Sequence, residues 1–188
     1  MAKSWGKIKK ELEQHWMCEA TRGRVSYFLT RYRQAHDLRG RVAVLIDGKE
    51  ALHSSDLETE CENPGLWGRA EQQGMNPVML AAYEKGQFHT SLFEESYQAY
   101  ASQSLQDNIQ SADPLVRLFT LFDRRIGRQQ FKTLKNTLIG NAPFLQTFYA
   151  FRLQCEFPAS APTSLKNLPA EQLQNSDLKT AIVPAKPE

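Results

Sequence analysis

Six arginines fall within twenty residues near the start of this 188-residue chain: Arg22, Arg24, Arg31, Arg33, Arg39 and Arg41. Tyr27, Phe28 and Tyr32 are interleaved with them. A guanidinium grips phosphate or carboxylate through two parallel N–H donors, and an aromatic face stacks a nucleic-acid base. Arg31 and Arg33 are two apart and so share one face of a strand. A second cluster is Asp123-Arg124-Arg125-Ile126-Gly127-Arg128, followed by Lys132 and Lys135. Cations after a helix complement its dipole, and Gly127 suits a left-handed helix end. The same guanidiniums also have the chemistry to capture phosphate or carboxylate. The candidate polyanion-binding residues are therefore Arg31, Arg33, Arg39 and Arg41 on one side, and Arg124, Arg125 and Arg128 on the other. That reading requires the two sets to converge on one open face.

Other chemistry has thinner support. Asp37, Asp47 and Lys49 satisfy the D-x9-D-x-K spacing of metal-dependent nucleases of the PD-(D/E)xK type, in which two carboxylates hold Mg²⁺ and a lysine assists water. Asp47-Gly48 is first of all a hairpin-turn signal, however. His15, His36, His53 and His89 show no paired metal spacing. His53 and Cys61 stand among Glu58, Glu60 and Glu62, which read as a solvated acidic stretch. Cys18, Cys61 and Cys155 are far apart with no C-x-x-C, as suits reduced thiols in a reducing compartment. There is no P-loop, G-x-G-x-x-G, G-x-S-x-G or H-E-x-x-H, so no cofactor and no metal is assigned.

Charge is distributed in blocks. Residues 1–49 hold eleven Lys/Arg against five Asp/Glu, residues 50–113 two against eleven, and residues 114–156 seven against two. Either the basic blocks dock on the acidic one inside the fold, or they form a basic face for a polyanion. A pI near 8.4 is below that of a dedicated nucleic-acid-binding domain. No apolar run approaches a membrane span, and the first ten residues lack the apolar core of a signal peptide, so a cytoplasmic location is expected.

Periodicity supplies the elements that carry these residues. Trp5, Ile8, Leu12 and Trp16 form one helical stripe over residues 3–18, capped by Ser4. Residues 24–33 alternate as a strand, and Arg41–Ile46 is β-branched and apolar, giving an antiparallel hairpin. Asp47-Gly48 leads to a third short strand, Lys49–His53. Residues 54–75 read as an acidic irregular loop broken at Asn63-Pro64-Gly65. Helices follow over Val78–Lys85, from a capping box at Ser91–Glu94 to about Gln103, over Leu105–Gln110, Leu115–Asp123, Arg128–Asn136 and Ala142–Glu156. Residues 157–188, with five prolines, read as a flexible tail. The expected fold class is α+β: one domain over 1–156, with an N-terminal helix and a β-hairpin packed on a mainly helical C-terminal half.

Short motifs add a resemblance. Ser4-Trp-Gly-Lys-Ile-Lys-Lys-Glu-Leu12, Gly23-Arg-Val-Ser-Tyr27, Thr30-Arg-Tyr-Arg33, Asp47-Gly-Lys-Glu50, Asp113-Pro114 and Phe122-Asp-Arg-Arg-Ile-Gly-Arg128 resemble an uncharacterised family of small bacterial cytoplasmic proteins. The resemblance covers residues 4–156 and omits the tail; Arg128 stands where that family suggests lysine. It implies no activity, cofactor or catalytic residue. The leading expectation is a non-catalytic binding or regulatory protein whose basic surface engages nucleic acid or an acidic partner. The alternatives are a metal-dependent phosphodiester hydrolase using Asp37, Asp47 and Lys49, and a structural or interaction protein, such as a homodimer.

Overall fold

The computed structural model describes residues 4–32, 39–62 and 77–158. The chain is α+β. A helix, α1 (Trp5–Lys10), widens into a π-helical turn over Glu11–Trp16, and a 3₁₀ turn over Glu19–Thr21 leads into the sheet. Ser4 opens α1 through its backbone carbonyl, not its hydroxyl. The strands β1 (Val25–Arg31), β2 (Gly40–Ile46) and β3 (Lys49–Ser55) form one antiparallel sheet in the order β1-β2-β3. Val25 faces Ile46 and Arg31 faces Gly40, so the hairpin reading holds residue by residue. Asp47 and Gly48 take φ of 50° and 78°, the left-handed pair that a two-residue turn needs to match strand twist.

One face of the sheet is core. Val25, Tyr27, Val42 and Val44 are buried there beneath Phe93 and Phe119, whose rings meet edge to face at 5.1 Å. The alternate positions face outward, leaving Phe28 and Tyr32 exposed. The edge of β1 is not left bare, because the Tyr27 amide donates to the Glu13 carboxylate at 2.8 Å.

The helices are α2 (Asp56–Glu62), α3 (Pro77–Glu84), α4 (Thr90–Ser102), α5 (Leu105–Gln110), α6 (Pro114–Leu121), α7 (Arg128–Thr133), α8 (Lys135–Ile139) and α9 (Leu145–Glu156). All eight residues of α6 are buried, and Asp113 caps it by accepting from the amides of Leu115 and Val116. Ser104 caps α5 in the same way.

Four local readings are corrected. Residues 56–62, expected within an irregular loop, are helix α2, because Asp56 is buried as an anchor: it accepts from the amides of Gly40 and Thr90, both at 2.7 Å, and from the Thr90 hydroxyl. That anchor starts α4 at Thr90, so Ser91 is not its cap, and Glu94 pairs with Arg31 instead of closing a capping box. Gly127 is not a left-handed helix end; with φ of −68° it precedes α7. The helix expected over 128–136 divides into α7 and α8 at Leu134. The stretch 63–75 and the tail beyond Pro158 lie outside the described residues, as do Arg33 and Asp37.

Candidate anion-binding site

The two arginine sets sit at opposite ends of the sheet. Arg31, Arg39 and Arg41 are at the end where β1 hands over to β2. Each holds a glutamate of the acidic middle block: Arg31 pairs with Glu94, Arg39 Nη2 with Glu60 Oε2 at 2.7 Å, and Arg41 with Glu50. The Arg41 guanidinium holds the Glu50 carboxyl below the usual carboxylate range. Arg124, Arg125 and Arg128 lie at the other end, where Met17 bridges to Asp123 and Cys18 donates its amide to Phe122. The two sets therefore do not converge, because strands of seven residues, roughly 20 Å long, separate them.

Arginines at the second end divide by partner. Arg24 grips Asp47 with two bonds, Nε to Oδ1 at 2.9 Å and Nη2 to Oδ2 at 2.6 Å, and lies over the Phe151 ring. This pairing lowers the Asp47 carboxyl below its ordinary range. Both oxygens of Asp47 are thus engaged by a guanidinium, in a tight turn. Lys49 opens β3 beside it, while Tyr32 and Arg39, which flank the segment carrying Asp37, are at the far end. Among the described residues no three His, Cys, Asp or Glu side chains assemble as a metal site. Arg125 is likewise matched: it binds fully buried Asp123 through Nε and Nη2, at 3.0 and 2.6 Å to Oδ2, and stacks over Trp16 at 4.6 Å.

Arg22, Arg124 and Arg128 differ. They are exposed and line one cleft of about 530 Å³, together with Cys18, Arg152 and Glu156. None makes an ion pair with a described carboxylate. Arg22 donates to the Met17 carbonyl at 3.2 Å. Arg128 donates to the Glu156 carbonyl and lies 4.6 Å from the Phe157 ring, which also carries the Lys132 ammonium at 3.6 Å. The Arg124 amide is fixed on the Trp16 carbonyl at 2.8 Å, and its side chain meets no described partner.

The floor of the cleft is a residue that sequence reasoning missed. Arg152 is fully buried, donating to the carbonyls of Leu121 at 2.6 Å and Ile126 at 2.7 Å and to Glu156 Oε1 at 2.9 Å, while stacking over Phe131. It holds the 121–126 segment in place and thereby aims Arg124. Its signal in the sequence is the i, i+4 pair Arg152/Glu156 on an otherwise uncharged helix. Lys7, Lys10, Glu11, Gln14, His15 and Trp16 line a second depression of about 690 Å³.

A family model matches residues 4–153. The chain belongs to the SF0329 protein family. The match includes Arg22, Arg124, Arg128 and Arg152 and stops short of Glu156. No curated protein and no solved structure matches the chain.

Proposed function

We propose that this member of the SF0329 family is a non-catalytic binding protein whose basic surface engages the phosphates of nucleic acid. One observation carries the reading: the first and third charge blocks meet around a cleft where Arg22, Arg124 and Arg128 have no described carboxylate partner, although arginines elsewhere on the sheet are matched one to one with glutamates. A second depression brings Lys7 and Lys10 together beside Trp16, with Glu11 also in its lining. Guanidiniums on phosphates supply affinity without reading sequence, so weak sequence preference is part of the proposal. Three free cysteines suit a reducing cytoplasm, and no helix of the described residues is long and apolar enough to cross a membrane.

The test is a salt titration of binding to labelled single-stranded and duplex oligonucleotides. Log K should fall linearly with log salt. R124A/R128A should reduce the slope by about 1.4–1.8, since each phosphate that a side chain neutralises contributes about 0.7–0.9. No binding at low salt, or binding that ignores salt, overturns the reading. Binding to polyglutamate but to no oligonucleotide transfers the surface to an acidic protein partner.

A further inference from the structure

Four properties of the cleft define its ligand more narrowly than the surface as a whole does. First, its three guanidiniums, which have no ion pair among the described residues, come from the end of the 3₁₀ turn, the loop after α6 and the start of α7. They therefore meet in one bounded cleft through the fold and not through a single run of sequence. Second, their placement is fixed from behind. Arg22 is tied to the Met17 carbonyl, Arg128 to the Glu156 carbonyl, and the segment carrying Arg124 is clamped by buried Arg152. Little side-chain and loop freedom remains to be surrendered on binding at Arg22 and Arg128.

Third, the charge balance is specific. Arg152 and Glu156 neutralise each other in the floor, and Glu19 is the one other carboxylate in the lining. Three guanidiniums against Glu19 leave two positive charges. A phosphodiester carries one negative charge, whereas a phosphomonoester is close to a dianion at neutral pH, its second pKa being about 6. A terminal phosphate also offers three oxygens to the donors of such a cleft, and a bridging diester offers two. Fourth, the cleft has room for a nucleoside-sized body behind the phosphate, since sites for small ligands begin at about 300 Å³. Its lining of Ala20, Ile126 and Gly127 includes no aromatic ring on which to stack a base. Recognition would rest on the phosphate and ignore the base.

We infer that the Arg22/Arg124/Arg128 cleft is a discrete site for a phosphomonoester dianion, the terminal phosphate of a strand or of a free nucleotide. This deepens the nucleic-acid reading and rests on it only for the strand as the source of that phosphate. The chemistry is the same for both sources, and the experiment separates them.

Binding of one twelve-nucleotide strand is compared with and without a 5′-phosphate, alongside thermal shift with inorganic phosphate. The phosphorylated strand should bind about tenfold tighter. That preference should vanish in R124A and R128A, whose side chains are exposed and carry no described ion pair, and persist in R41A. Inorganic phosphate should raise the melting temperature of the wild type and not of R124A. Equal, salt-dependent affinity for both strands overturns the site and leaves the polyanion surface standing. A phosphate-induced shift abolished in R124A, with neither strand bound, keeps the site and overturns the nucleic-acid reading. No shift and no preference removes the site altogether.

Discussion

Buried phenols show most directly how side chains in this core answer to pH. Tyr27, Tyr83 and Tyr100 are almost wholly buried, and burial pushes each hydroxyl well above the ordinary tyrosine range. Neighbouring carboxylates add to this: Tyr83 donates to Asp113, and Tyr100 donates to Asp123 at 2.7 Å. Unfolded phenols titrate near 10, so above that pH the unfolded chain releases protons that the folded chain retains. Stability is then fully present below about pH 10 and falls as pH rises past it, by up to roughly 1.4 kcal/mol per pH unit for each phenol. Thermal melts from pH 8 to 12 should show a plateau that breaks downward near 10. A melting temperature unchanged up to pH 11.5 would contradict this account. Arg152 shows the opposite strategy. It is a guanidinium kept in the core by three carbonyls and a carboxylate, which take the place of water around its donors.

Among the elements, α2 decides how the hairpin end of the sheet is closed. Asp56, at its first turn, takes three donors from β2 and α4, and His89 approaches to 3.6 Å. Asp56→Ala leaves the Gly40 and Thr90 amides buried without partners and should cost roughly 3 kcal/mol in urea unfolding, with Asp56→Asn intermediate. A cost below 1 kcal/mol would show that the anchor is dispensable. This element was illegible in the sequence for a physical reason. An acidic run reads as solvated, and nothing local states that its first carboxylate will be desolvated by backbone amides 16 and 34 residues away. What was legible obeyed local rules. Alternation gave the strands, Asp47-Gly48 gave their turn, and Asp113-Pro114 gave the start of α6. The core stripe of α9 was half legible: Leu145 and Phe148 announce it, but Arg152 and Glu156 continue it where hydrophobicity points to Leu153. The cleft inherits that blindness, since its floor is the pair that polarity places on the surface. Arg124 and Arg128 were legible as a cluster, whereas their meeting with Arg22 depends on the tertiary bridge between Met17 and Asp123.

At the scale of the whole molecule, the charge blocks are used in two ways at once. The acidic block is drawn against the hairpin, where Glu94 and Glu50 occupy Arg31 and Arg41, while Arg22, Arg124 and Arg128 are left facing outward at the other end. Neutralisation and exposure, which the sequence offered as alternatives, are divided between the two ends of one sheet. On the proposed reading the hairpin arginines are silent toward a polyanion because they are matched, not because they are badly placed, and this has a testable consequence. These pairs are exposed, so breaking them costs little stability, on the order of 1 kcal/mol or less each. E50Q/E94Q keeps side-chain size, removes two negative charges and releases two guanidiniums. Oligonucleotide affinity should rise, and the dependence of log K on log salt should steepen by about 1.4–1.8, as two further guanidiniums become available to phosphates. R31A/R41A should leave the wild-type slope unchanged, since those side chains contribute no free charge while their glutamates remain. If E50Q/E94Q binds no better than the wild type while the Arg124 and Arg128 variants bind worse, the hairpin end is inert to polyanions for reasons of shape, and the glutamates serve the fold alone.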